Sequence, residues 1–126
     1  MVKDKFNELY ETLKKDGTLA GISIKSFKRP DSLANNEPSI VIRPVGPPMQ
    51  TAHGSNTSLA KTFLYQDNVE SKNYMECKEL QRKIEKIMED HRFYQTTGGL
   101  DEWIPETKRY VDARTYKGQS TLYEEY

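Results

Sequence analysis

The stretch "GGLDEWIPETKRYVDARTYKG", residues 98–118, decides the reading of the fold. Its second half alternates: Tyr110, Asp112, Arg114 and Tyr116 fall on one side, Val111, Ala113 and Thr115 on the other. A period of two puts such sets on opposite faces of a β-strand. Before that strand, "PETK" (105–108) has the composition of a type I turn. "RFYQT" (92–96) supplies a preceding strand, so the chain closes on two joined strands. Gly98 and Gly99 read as positive-φ turn positions. "TTGGL" is flanked by strands and lacks the Lys and Ser/Thr of a phosphate-cradling loop.

Upstream, Phe6, Leu9, Tyr10 and Leu13 recur at the spacing that lines one helix face, and Asp16-Gly17 stops that helix. "ISIKSF" (22–27) alternates as a short strand, and the turn-rich "KRPDSLANNEP" suggests a hairpin-like connection to the next one. "SIVIRPVGPP" (39–48) is β-branched on both faces, as an interior strand is, but Pro44 lacks a ladder donor and belongs at a bulge, an edge or the strand's end. Residues 46–60 show no period and are dense in Gly, Pro, Ser, Thr and Asn, which predicts a long flexible loop suited to ordering on a partner. "KTFLYQDNVE" (61–70) makes a third strand. Ser71 is then the expected N-cap of a long helix whose Cys77, Leu80, Ile84, Ile87 and His91 form one apolar stripe beside Met88.

These elements add up to an α+β fold, a two-layer sandwich: a mostly antiparallel sheet of four to five strands with two helices on one face. Val111 and Ala113, small and apolar, are expected on the helix-covered side of the last strand. Tyr110, Asp112, Arg114 and Tyr116 are then expected on the open face, where tyrosines with paired charges suit a subunit contact. Trp103 reads as standing in a loop. A lone tryptophan in a small domain is usually core, but an exposed one is an interface anchor.

A chain of 126 residues has the length of one domain. Lys+Arg and Asp+Glu are both 19, so there is no basic excess for a phosphate backbone, which argues against a dedicated nucleic-acid binder. Hydrophobic residues make up 35% and mean hydropathy is -0.87, which leaves a thin core. Eight tyrosines supply much of the apolar area, and tyrosine is enriched where proteins meet. The single cysteine rules out an internal disulfide and a thiolate metal cluster and fits a reducing compartment. No apolar run resembles a signal peptide or reaches the roughly 18 residues of a membrane span, so the expectation is a soluble, non-secreted protein.

The groups able to do chemistry do not converge. His91 falls at the end of the second helix, where a cation is favoured by the dipole, and Cys77 lies on that helix's apolar stripe. His53 has no second ligand two to four residues away. No catalytic residue, metal or cofactor is expected.

With the order of elements in place, the chain resembles the tail terminators, or tail-completion proteins, of long-tailed bacteriophages of Gram-positive bacteria. The resemblance is carried by "SIVIRPVGPP", "TFLYQDNVESKNYMECKELQRKIEKIM" and above all "FYQTTGGLDEWIPETKRYVDARTYKG". It implies a virion protein at the head-tail junction, made in the host cytoplasm. Its copies form a ring, usually of six, that caps the tail tube, stops polymerisation and offers a docking surface to the head-tail connector protein. Partners would be further copies, the tail tube protein and the connector, with DNA only as passing cargo and no membrane. On that reading Tyr110, Asp112, Arg114 and Tyr116 are candidate subunit contacts. Met49, Gln50, His53, Asn56 and Trp103 are candidate contacts to tube or connector. A head-completion or connector-stopper protein is the alternative in the same setting. A peptide-binding adaptor would stay monomeric, and a nucleotide-processing enzyme would need a site that these residues do not form.

Overall fold

The computed structural model describes residues 3–28, 37–54, 57–122, 124 and 126 of the chain. In chain order the elements are α1 (Lys5–Lys15), a 3-10 turn (Gly17–Leu19), β1 (Ser23–Ser26), β2 (Ser39–Pro44), β3 (Met49–Gly54), β4 (Thr57–Ser71), α2 (Tyr74–Asp90), β5 (Tyr94–Ile104) and β6 (Arg109–Gln119). The strands make one six-stranded sheet in the order β1-β2-β4-β6-β5, with β3 also paired to β4. The fold is α+β and mostly antiparallel, as the sequence predicts.

Helix α1 buries Leu9 and Leu13, and Phe6 and Tyr10 pack against the same core. The chain leaves it at Asp16, whose carboxylate accepts the Thr18 N–H at 2.9 Å and starts the turn that buries Leu19. Helix α2 is capped by Asn73 rather than Ser71: the Asn73 side-chain oxygen accepts the N–H groups of Met75 (3.0 Å) and Glu76 (3.3 Å). Ser71 is still in the ladder of β4, and its hydroxyl accepts the Asn73 N–H. The chain needs the residues between to turn from strand into helix. His91 ends α2, with Nδ1 2.9 Å from the Ile87 carbonyl oxygen. Pro44 is the last residue of β2, where its missing donor costs no ladder bond.

Two expectations about the sheet are corrected. First, β1 and β2 are not a hairpin. They run parallel, with Ile24 beside Ile40, and residues 29–36 of their connection lie outside the described residues. Turn-forming composition signals a break in the ladder without fixing the direction in which the chain returns. Second, the segment 46–60 holds strand β3 and the start of β4, paired through Met49–Thr62, Thr51–Ala60 and His53–Ser58. This makes six strands where four to five were expected. The segment shows no hydrophobic period because backbone hydrogen bonds, rather than a buried face, define it.

The core lies between the sheet and the helices. Leu9, Leu13, Leu80, Ile84 and Met88 meet Ile40, Ile42, Phe63, Tyr65, Val69 and Tyr116. Aromatic rings do much of the filling: Tyr65 stacks on Phe93 at 5.4 Å, and Phe63 lies 6.1 Å from Tyr65. Cys77 is buried on α2, its thiol pushed up to about 11 by burial, as suits an inert packing residue.

Candidate interaction site

Strand β4 is the spine that sorts the surfaces. Its 15 residues pair with β2 on one side and β6 on the other over their second half, while the first residues pair only with β3. The β3–β4 hairpin therefore extends past the helix-covered body as an arm. Met49 and Gln50 are exposed at its base, and His53 stands opposite Ser58 near its end. Asn56 lies outside the described residues. Ala60 is buried at the root of this hairpin, and a two-stranded ribbon beyond such a root is marginal by itself, so it gains most by lying against another surface.

At the far end of β4 the chain turns into α2, and an aromatic patch forms there. Trp103 is 46% exposed and its ring centroid is 5.0 Å from that of Tyr110. Tyr110 in turn meets Tyr74 edge-on at 5.5 Å, and Met75, 59% exposed, follows in sequence. Trp103 belongs to β5 rather than to a loop. The strand runs through the two glycines by means of a bulge between Thr96 and Gly99, with Gly98 and Gly99 at φ of +105° and +145°. The positive-φ reading of these glycines holds; they bend a strand instead of ending it. The turn at 105–108 follows, closed by the Lys108 N–H donating to the Ile104 carbonyl.

The proposed open-face set is inverted. Register pairs Tyr116 with Tyr65, Arg114 with Asp67, Asp112 with Val69 and Tyr110 with Ser71, so all four side chains share the face that the helices cover. Tyr116 is fully buried, Asp112 is 3% exposed, and Tyr110 is partly buried against the core. Val111 and Ala113 occupy the other face. The physical reason is reach and pairing. Tyrosine rings span the gap between sheet and helix that Val and Ala would leave empty, and the charge of Asp112 is neutralised where it lies. Its carboxylate accepts from Lys78 Nζ at 2.7 Å and from Arg114 Nε at 3.0 Å. Lys78 also donates to Asp101 at 2.6 Å. Burial lowers the lysine's pKa, but the two carboxylates outweigh it and hold the ammonium above its ordinary value.

These four charged groups line an open groove of about 680 Å³ between α2 and the bulge of β5. Each carboxylate in it is matched by a cation, so the cluster clamps β5 and β6 to α2. His91 and Cys77 stand elsewhere on α2, and no group of three His, Cys, Asp or Glu among the described residues could hold a metal ion. No helix among them is long and apolar enough to cross a membrane.

Arg109 and Gln81 are among the buried polar groups that sequence reasoning missed. Arg109 is 1% exposed and donates to the carbonyls of Glu37 (2.8 Å) and Glu70 (2.9 Å). Gln81, inside the apolar face of α2, donates to the carbonyls of Asp67 (3.0 Å) and Asp112 (2.7 Å). The position of Gln81 one residue after Leu80, on the buried stripe, was the available signal.

No protein-family model and no curated protein sequence matches this chain. Among solved structures, its fold is similar to that of a chain in the virion of native gene transfer agent (GTA) particle, with a TM-score of 0.58 and 12% identity over 88% of this chain and 90% of that one. The likeness is one of fold, and it takes in nearly the whole of both chains.

Proposed function

We propose that the protein is a structural subunit of a phage-like virion, a tail terminator whose copies ring the end of the tail tube, stop its growth and present a surface to the head-tail connector. The observation that carries this reading is the near end-to-end fold likeness to a chain of a gene transfer agent virion. Two further features support it. The arm and the aromatic patch sit at opposite ends of β4, so one subunit offers different surfaces in two directions, as a piece between a tube and a connector must. The described charged groups of the groove are spent on one another, which suits a steric role in which no bond is made or broken.

On this reading the arm, with Met49, Gln50 and His53, reaches the tube or the connector, and Trp103 anchors the opposite contact. Replacing residues 51–60 by an Asn-Gly turn would join Gln50 to Lys61, which already face each other. The shortened protein should fold, since Ala60 is the fully buried side chain it loses among those described. It should leave tails overgrown and reduce head joining roughly tenfold or more, as seen by electron microscopy of tubes assembled with each protein. Tails of normal length that still join heads would remove the arm from the mechanism. Binding to connectors but never to tube ends would favour a head-completion role.

A further inference from the structure

We propose that copies of this chain join head to tail by continuing the sheet, the outer edge of β5 in one copy pairing with the outer edge of β1 in the next. The inference deepens the ring reading above and rests on it.

The sheet ends in two unlike strands. β5 has eleven residues and β1 has four, and among the described residues no further strand lies beyond either. An open edge is a template for another chain, and natural proteins usually blunt it with lysine, proline or a covering loop. β5 carries neither Lys nor Pro and is exposed almost throughout. Tyr94, Leu100 and Trp103 on it are 59%, 40% and 46% exposed. Its protective devices are the bulge between Thr96 and Gly99 and the charges of Asp101 and Glu102. Past the bulge, residues 100–104 form a regular stretch that matches the short β1 in length.

Charge selects the pairing. The charged residues of β5 are Asp101 and Glu102, both in that regular stretch. Along β1 a groove of about 260 Å³ has Ile22 and Ile24 in its lining together with Lys14 and Lys25. Asp101 is already held by Lys78, which leaves Glu102 as the acid of this edge. Two β5 edges would bring Glu102 side chains together and two β1 edges would bring lysines together, whereas β5 against β1 sets Glu102 against Lys25. A contact between unlike edges is head to tail, and it closes into a ring when the rotation between copies allows. The Ile24 carbonyl already accepts from the Tyr10 hydroxyl at 3.3 Å and the Ser26 carbonyl from the Lys28 N–H at 2.8 Å, so each would take an incoming N–H on its second lone pair.

Lys25 and Glu102 are both exposed, so reversing their charges leaves the fold intact, which circular dichroism would check. Light scattering over a concentration series, with and without tail tubes, should find wild-type assemblies larger than a dimer. Lys25→Glu or Glu102→Lys alone should weaken assembly roughly tenfold, and the double variant should recover it. In parallel, the Ser23→Cys/Glu102→Cys variant treated with a short bis-maleimide should give a ladder of cross-linked copies, while each single variant gives none. Native Cys77, being buried, stays silent. Several outcomes would overturn the proposal: reversals without effect, a double variant as weak as the singles, dimers from Glu102→Cys alone, or a chain monomeric at every concentration and on tubes. Rings at tube ends lacking the 23–102 cross-link would remove edge pairing and keep the terminator reading. Ladders that ignore tubes would do the reverse.

Discussion

Gly99→Ala should destabilise the protein by roughly 3 kcal/mol or more and lower Tm by about 10 °C. A methyl group at this position would overlap the carbonyl oxygen of Ala113, which belongs to the neighbouring backbone and has no rotamer in which to retreat. The φ of +145° adds a conformational penalty that any L side chain would meet. Among the described residues β5 has a neighbouring strand on one side only, so the strain should be relieved by residues 94–104 lifting from β6, visible as lost amide protection there. Gly46→Ala is the matched control, because a Cβ there meets nothing within 4 Å, and it should be close to neutral. Equal stability of Gly99→Ala and wild type, with protection of β5 retained, would show that the bulge does not constrain residue 99.

Asp67→Asn should stabilise the protein, and by more at pH 8 than at pH 4. The side chain is fully buried and neither carboxylate oxygen has a hydrogen-bond partner among the described residues. Arg114 lies opposite in register, but its guanidinium turns to Asp112. Burial pushes the Asp67 carboxyl up to about 7. In the unfolded chain it releases its proton near 4. Between those values the folded state binds more protons than the unfolded one, so stability declines as pH rises and levels off above about 7. An uncharged asparagine of the same shape removes that decline. The gap between variant and wild type should be small near pH 4 and grow to the order of 3 kcal/mol by pH 8 in urea titrations. A gap that is absent at pH 8, or constant across the range, would mean that Asp67 ionises without cost where it sits.

Much of the fold was legible in the residues, and the misreadings share a cause. The apolar stripes at Leu9 and Leu13, and at Leu80, Ile84 and Ile87, announced both helices because burial imposes a period that polarity records. The arm at residues 49–60 escaped notice because backbone pairing leaves no such record. The candidate contacts divide along the same line. Met49, Gln50 and Trp103 are exposed, as contacts must be. Tyr110, Asp112, Arg114 and Tyr116 were assigned to the wrong face. Hydropathy ranks Val111 and Ala113 as more buried in kind than Asp112, but takes no account of Lys78 waiting across the gap.

Taken alone, the amino-acid order determined which segments are helical, where the closing strands alternate and which glycines bend the backbone. These are properties of neighbours in sequence, governed by local sterics and by the period of burial. Only the tertiary structure decided which face of β6 meets the helices, that β1 runs parallel to β2, and that the sheet ends in an acidic edge and a basic one. Those outcomes depend on partners far apart in the chain, such as Lys78 with Asp112 and Arg109 with Glu37, whose pairing energy exists only once the fold has brought them together.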